Sequence, residues 1–176
     1  MTQPTIVDVD VDPFEGAEKA ATPEFQQAIG LLFVVSGAAE GALALEVLRM
    51  MSHPNKLTLT ATPLVCGMEL KVKLGMIRTY AAMHGLDPKE ISALTDDIRT
   101  AFGKRNEFAH SVVKPQTDPK SVLVQSLKFD SRGQIPNPQR HTADQIRGYA
   151  RAIHSSVRAL HDRLTQIGYR KSTELL

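Results

Sequence analysis

At three places in this chain a Thr or Asp followed at once by proline leads into a long stretch of helical spacing: Thr22-Pro23, Thr62-Pro63 and Asp87-Pro88. No other feature limits the accessible folds so strongly. A Thr or Asp at the cap accepts a hydrogen bond from an orphan amide of the first turn. Proline at the next position arrives with its torsion preset and gives up an amide that would have had no partner. Each signal is followed by apolar residues spaced three and four apart, the period of a helix with one buried face. The first helix is predicted from Pro23 to about Ser52, before Pro54, with a stripe of Ile29, Leu32, Phe33, Ser36, Glu40, Leu43, Val47 and Met50. The second runs to about His84, before Gly85. The third opens with a further signal, Glu90 three residues after the Asp87 cap, and is predicted to reach about Val113, before Pro115. Thr142 with Gln145 forms a capping-box pattern for a last helix with Ile146, Tyr149, Ile153, Val157, Leu160, Leu164 and Ile167 inward. The expected fold is all-α, a four-to-five-helix bundle.

Between the third and last helices the period changes. Val122, Val124 and Ser126 alternate with Leu123, Gln125 and Leu127, and Asp130-Ser131-Arg132-Gly133 reads as a turn. A small β-hairpin inserted at about 121–136 is expected, followed by a loop over 137–141. The domain plan is an acidic arm over 1–21, a helical domain over 22–169 and a tail over 170–176.

With 176 residues, 42% of them hydrophobic, the chain can bury one core without staples. Cys66 is the only cysteine, so no intrachain disulfide or thiolate cluster can form, and it reads as a small buried hydrophobe. The opening residues do not resemble a secretory leader, and cytoplasmic residence is the expectation. The most apolar stretch, from Ile29 to Met51, contains Glu40 and Glu46, which argues against a membrane as partner. No phosphate loop, paired-cysteine motif or zinc helix is found, so neither cofactor nor metal is expected.

The third helix carries an anomaly. At about 100° per residue, Ile91, Ile98, Phe102 and Ala109 form one apolar face, and Arg105 falls in its middle. A guanidinium aimed at a core must be paired, reach a cleft or lie at an interface, because an unpaired buried charge is costly. Asn106 and His110 share an adjoining ridge, while Lys104 and Glu107 point away as surface residues. The first helix holds a matching anomaly, since Ser36 and Glu40 stand in its apolar stripe. A Glu40–Arg105 pair would satisfy both charges. Histidine can accept a proton near neutrality and arginine can hold a phosphate, so the set suits metal-free RNA cleavage through the 2′-hydroxyl. It equally suits a polar clasp between helices.

Charge is unevenly spread. Residues 1–24 hold six acids against Lys19, whereas residues 140–171 hold seven bases against Asp144 and Asp162. Arg151, His154 and Arg158 would give the last helix a strip for RNA, or an ordinary solvated face. With 5% aromatic residues there is little stacking platform for single strands.

Arg105-Asn106-Glu107-Phe108-Ala109-His110, late in a long helix of an all-helical chain, resembles the HEPN superfamily, the higher eukaryote and prokaryote nucleotide-binding domain. Its motif is an arginine, four to six residues and a histidine, often with a polar residue after the arginine. The resemblance implies an HEPN-like helical domain and a homodimer whose motifs face one cleft. It further implies metal-independent endoribonuclease activity or RNA or nucleotide binding in a defence or toxin–antitoxin system, with a separate partner protein. Arg105 and His110 would be catalytic, with Asn106 supporting and Glu40 matching an acid on an earlier helix. The alternative is a non-catalytic helical interaction or regulatory protein in which the Arg/His motif is structural.

Overall fold

The structure, a computed structural model, describes residues 22–51, 61–116, 118, 120–128 and 133–166. The predicted N-terminal arm and C-terminal tail lie outside these residues, as do most of the connection after the first helix and most of the turn at 130–133. Among the described residues five helices and three strands follow in order: α1 (Pro23–Met51), α2 (Thr62–Gly67), α3 (Leu70–Met83), α4 (Pro88–Ala109), β1 (Ser111–Pro115), β2 (Val122–Ser126), β3 (Gln139–His141) and α5 (Ala143–Thr165).

The proline signals start helices where expected, with one shift. Asp87 caps α4 by accepting from the Lys89 amide at 3.0 Å. At α2 the cap is Ala61 with no side-chain bond, and Thr62 is already helical. The predicted second helix is two helices. Met68 and Glu69 are extended, so the chain turns between α2 and α3 just past Gly67. α3 ends on Gly85, whose φ of 78° suits only a residue without a Cβ. There the amides of Gly85 and Leu86 donate back to Ala82 and Ala81, and Leu86 is buried.

α1 packs mainly along α5, which also receives α4, while α3 bridges α1 and α4. The core runs from Phe25, Leu32 and Leu43 through Ile77, Ile98 and Phe102 to Ile146, Ile153 and Leu160. Fully burying such a side chain contributes about 1.5–3 kcal/mol. Arg78 ties α3 to α4, its Nε donating to Thr95 and its Nη2 to Asp96 at 2.8 Å. α1 is long and apolar enough to cross a membrane by length and composition, and 33% of its most apolar window is buried in the bundle.

The insertion is larger than a hairpin. The predicted tail of the third helix is instead β1, paired antiparallel with β2 so that Val113 faces Val124; β3 adds to the other edge of β2. Val122 and Val124 point into the core. The helix gives way because Val112 and Val113 are β-branched and find a strand partner. The Leu127 amide donates to the His110 carbonyl at 2.9 Å, and the Ser111 hydroxyl donates to the Glu107 carbonyl. Residues 139–141, read as loop, are the third strand.

Candidate functional site

The Arg105–His110 segment lies at the end of α4. Arg105 is half buried and its guanidinium carbon stands 5.2 Å from the centre of the Phe33 ring. Its Nη1 donates to Asn106 Oδ1 at 3.0 Å, and its Nε is buried without a hydrogen bond. Asn106 is exposed. His110 is the C-cap of α4, also exposed, and its ring meets no partner among the described residues. The structure therefore joins Arg105 to Asn106 and leaves His110 apart.

The predicted Glu40–Arg105 pair does not form. Arg105 meets the first helix at Phe33, seven residues before Glu40, which is about 10 Å along a helix axis. Ser36 is buried but its hydroxyl donates to the Leu32 carbonyl of its own helix at 2.6 Å. The buried acid of α1 is Glu46 instead. Its side chain is 5% exposed, and its Oε1 receives Arg49 Nη1 at 2.9 Å and lies 2.7 Å from His161 Nδ1. Glu46 Oε2 is buried without a hydrogen bond. Ile29 is only half buried, and the buried stripe centres on Leu32, Ala39 and Leu43, about 60° round. That rotation carries Glu46 inward and Glu40 to the edge.

A second polar cluster grows from two residues read as plain surface. Glu107 is partly buried, takes Lys104 Nζ at 3.0 Å and lies 3.9 Å from His141 Nε2. His141 is buried, with Nδ1 3.2 Å from the Tyr149 hydroxyl and its ring edge-on to Phe108 at 5.2 Å. Its Nε2 has no hydrogen bond. Burial pushes the imidazole pKa below its ordinary value; Glu107 opposes that shift and Lys104 adds to it. The cluster pins the end of β3 to α4 and α5.

Along α5, Arg151, His154 and Arg158 are exposed on neighbouring turns, and Arg158 Nε lies 3.8 Å from Asp162. His161, seven residues after His154 on the same helix, is held by Glu46. Between α1 and α5 lies a groove of about 490 Å³ whose walls include Ala38, Ala42, Leu43, Val157 and Leu160, with Glu46 and His161 also lining it. Cys66, expected to be buried, is exposed on α2. Among the described residues no three His, Cys, Asp or Glu side chains gather in a metal-holding group.

His141 left a weak sequence signal, a histidine directly before a capping-box threonine. Nothing local marks Glu107 as its neighbour, because the two meet only when β3 returns to α4.

No family model matches the chain, and neither curated proteins nor solved structures include a significant match to it.

Proposed function

We propose that this chain is a non-catalytic helical interaction protein that pairs with a second copy through the exposed face of α1. One observation carries this reading. From Phe25 to Leu48, the exposed positions of α1 are Gln26, Gln27, Gly30, Leu31, Val34, Gly37, Ala38, Gly41, Ala42 and Leu45, with no charge among them. Val34 is 71% exposed, and Leu31 and Leu45 nearly half. A Cβ placed on Gly30, Gly37 or Gly41 would meet nothing within 4 Å. These glycines thus serve no close contact among the described residues, although each costs a helix about 1 kcal/mol relative to alanine. A second helix laid against them accounts for their presence. The face also reads alike from either end. About Ala38, Leu31 balances Leu45 and Val34 balances Ala42, which suits an antiparallel two-fold contact where each residue meets its counterpart's partner. An uncharged face complements another uncharged face and offers nothing to phosphate. In this reading Arg105, held on Phe33 and Asn106, is a clasp between α4 and α1.

Sedimentation velocity is expected to find the wild-type chain as a dimer and Val34→Glu as a monomer with unchanged helical circular dichroism. A wild-type monomer overturns the pairing.

The exposure of Asn106 and His110 at the end of α4 that carries Arg105 favours a second reading, the metal-independent endoribonuclease that the HEPN resemblance implies. There Arg105 would hold the phosphate, His110 would take the 2′-hydroxyl proton, and Arg151, His154 and Arg158 would contact the RNA backbone. RNA incubated with the protein in EDTA is expected to stay intact. Cleavage that disappears in a folded His110→Ala chain would put this reading in place of the first.

A further inference from the structure

Lys73 is a buried charge to which the described residues supply no counter-charge. It lies on the inward face of α3 with Leu74, Ile77 and Ala81 and is 4% exposed. An ammonium in such a place is costly unless an anion meets it. Glu69, four residues earlier, has the spacing of a helix ion pair, yet it stays exposed and makes no bond to Lys73. Nor does any other described acceptor reach Lys73 Nζ. The nitrogen nonetheless keeps an opening. Among the described residues, the side-chain atoms both sealed from solvent and unbonded are Glu46 Oε2, Arg105 Nε and His141 Nε2, and Lys73 Nζ is not one of them. The Lys73 stem is therefore buried while its tip still meets solvent.

That tip belongs to a helix start with open donors. Side chains on a helix lean toward its N-terminus and cover the turn before their own Cα, so Lys73 overlies the first turn of α3. There the Val72 and Lys73 amides both donate to the Glu69 carbonyl, at 3.0 and 3.1 Å. The Leu70 and Lys71 amides have no acceptor among the described residues. Glu69 stands at the cap position, but its side chain accepts from neither. α3 is 14 residues long, and its dipole leaves about half a positive charge at this end. Lys71, on the exposed side of the same turn and without a carboxylate partner, adds a second ammonium.

We propose that the start of α3 binds a phosphate group, with one oxygen on Lys73 Nζ and others on the Leu70 and Lys71 amides. Open amides at a helix start already favour an oxyanion, and the unpaired ammonium fixes where its charge sits. The dipole and two lysines together carry more than one positive charge, which matches a phosphate dianion better than a carboxylate. None of these residues belongs to the exposed face of α1, so the site stands or falls apart from the pairing of copies.

The test follows the Leu70 and Lys71 amide resonances of the full chain while inorganic phosphate is titrated at constant ionic strength. Acetate serves as the single-charge control. Saturable shifts are expected with phosphate, and binding at least about tenfold weaker with acetate. Phenyl phosphate, run beside it, separates a free anion from a phosphate carried on a larger molecule; tighter binding of either supports the site and names its source. Lys73→Met keeps the length and removes the charge. It should fold, because an apolar side chain suits those surroundings, and should lose the phosphate shifts. Unchanged shifts in a folded Lys73→Met chain would reduce the site to an ordinary helix start and overturn the proposal. So would acetate binding as tight as phosphate, or no saturation with either phosphate. Should Lys73→Met fail to fold, Glu69→Gln decides, because it removes the carboxylate at the cap position. Tighter phosphate binding in that chain supports the site, and unchanged or weaker binding overturns it.

Discussion

Arg105 shows how a single charge is accommodated by surroundings that no local pattern names. Its position in an apolar face was legible from helical spacing. Its solution was not: an aromatic face and a neighbouring amide replace the carboxylate expected from Glu40. His141 is the converse, a residue that becomes chemically distinct only on folding. Its pKa is lowered chiefly by burial, so the native state favours the neutral ring. An unfolded chain binds the proton from about the ordinary value of 6.5, whereas the folded chain resists until lower pH. The stability contributed by the neutral ring is therefore present above 6.5 and is lost as pH falls toward the depressed folded value. Tyr149, Glu107 and Lys104 face this ring from α5 and α4, and Phe108 packs on it. Thermal midpoints measured from pH 7.5 down to 5 should fall more steeply for the wild-type chain than for His141→Gln. Parallel slopes would sink this account.

At the scale of elements, termini were read best where side chains announce them. The capping box of α5 forms in full: Gln145 N–H donates to Thr142 Oγ1 at 3.2 Å and Thr142 N–H donates to Gln145 Oε1 at 2.8 Å. Thr142→Ala should lower unfolding free energy by about 1 kcal/mol, or roughly 2–4 °C in Tm for a chain of this size. A denaturant titration showing no change would mean that the cap is compensated by Arg147, which holds Asp144 and Glu24 at the same end. Termini without such a signal were misplaced. α4 ends at Ala109, four residues before the expected Val113, because Val112 fits a helical stripe and a strand equally well. Only β2, arriving from eleven residues beyond Ser111, tips that choice. The break between α2 and α3 had no sequence warning beyond Gly67.

For the whole molecule, the proposed pairing makes stability a function of concentration. A ligand that binds only the folded state raises its stability by mass action, and a second copy is such a ligand. The wild-type thermal midpoint should rise with protein concentration, whereas that of Val34→Glu should stay fixed. A wild-type midpoint that stays flat by differential scanning calorimetry over about two decades of concentration would count against the dimer.

By itself the sequence determined the class of the fold, the starts of its long helices and the anomaly of Arg105, because caps, prolines and helical period act within one or two turns of chain. Tertiary structure alone decided which acid of α1 is buried, which residues meet His141 and where α4 yields to a strand. Those outcomes depend on the rotation of one helix against another. About 60° of turn on α1 suffices to exchange Glu40 for Glu46, and no local interaction sets that angle.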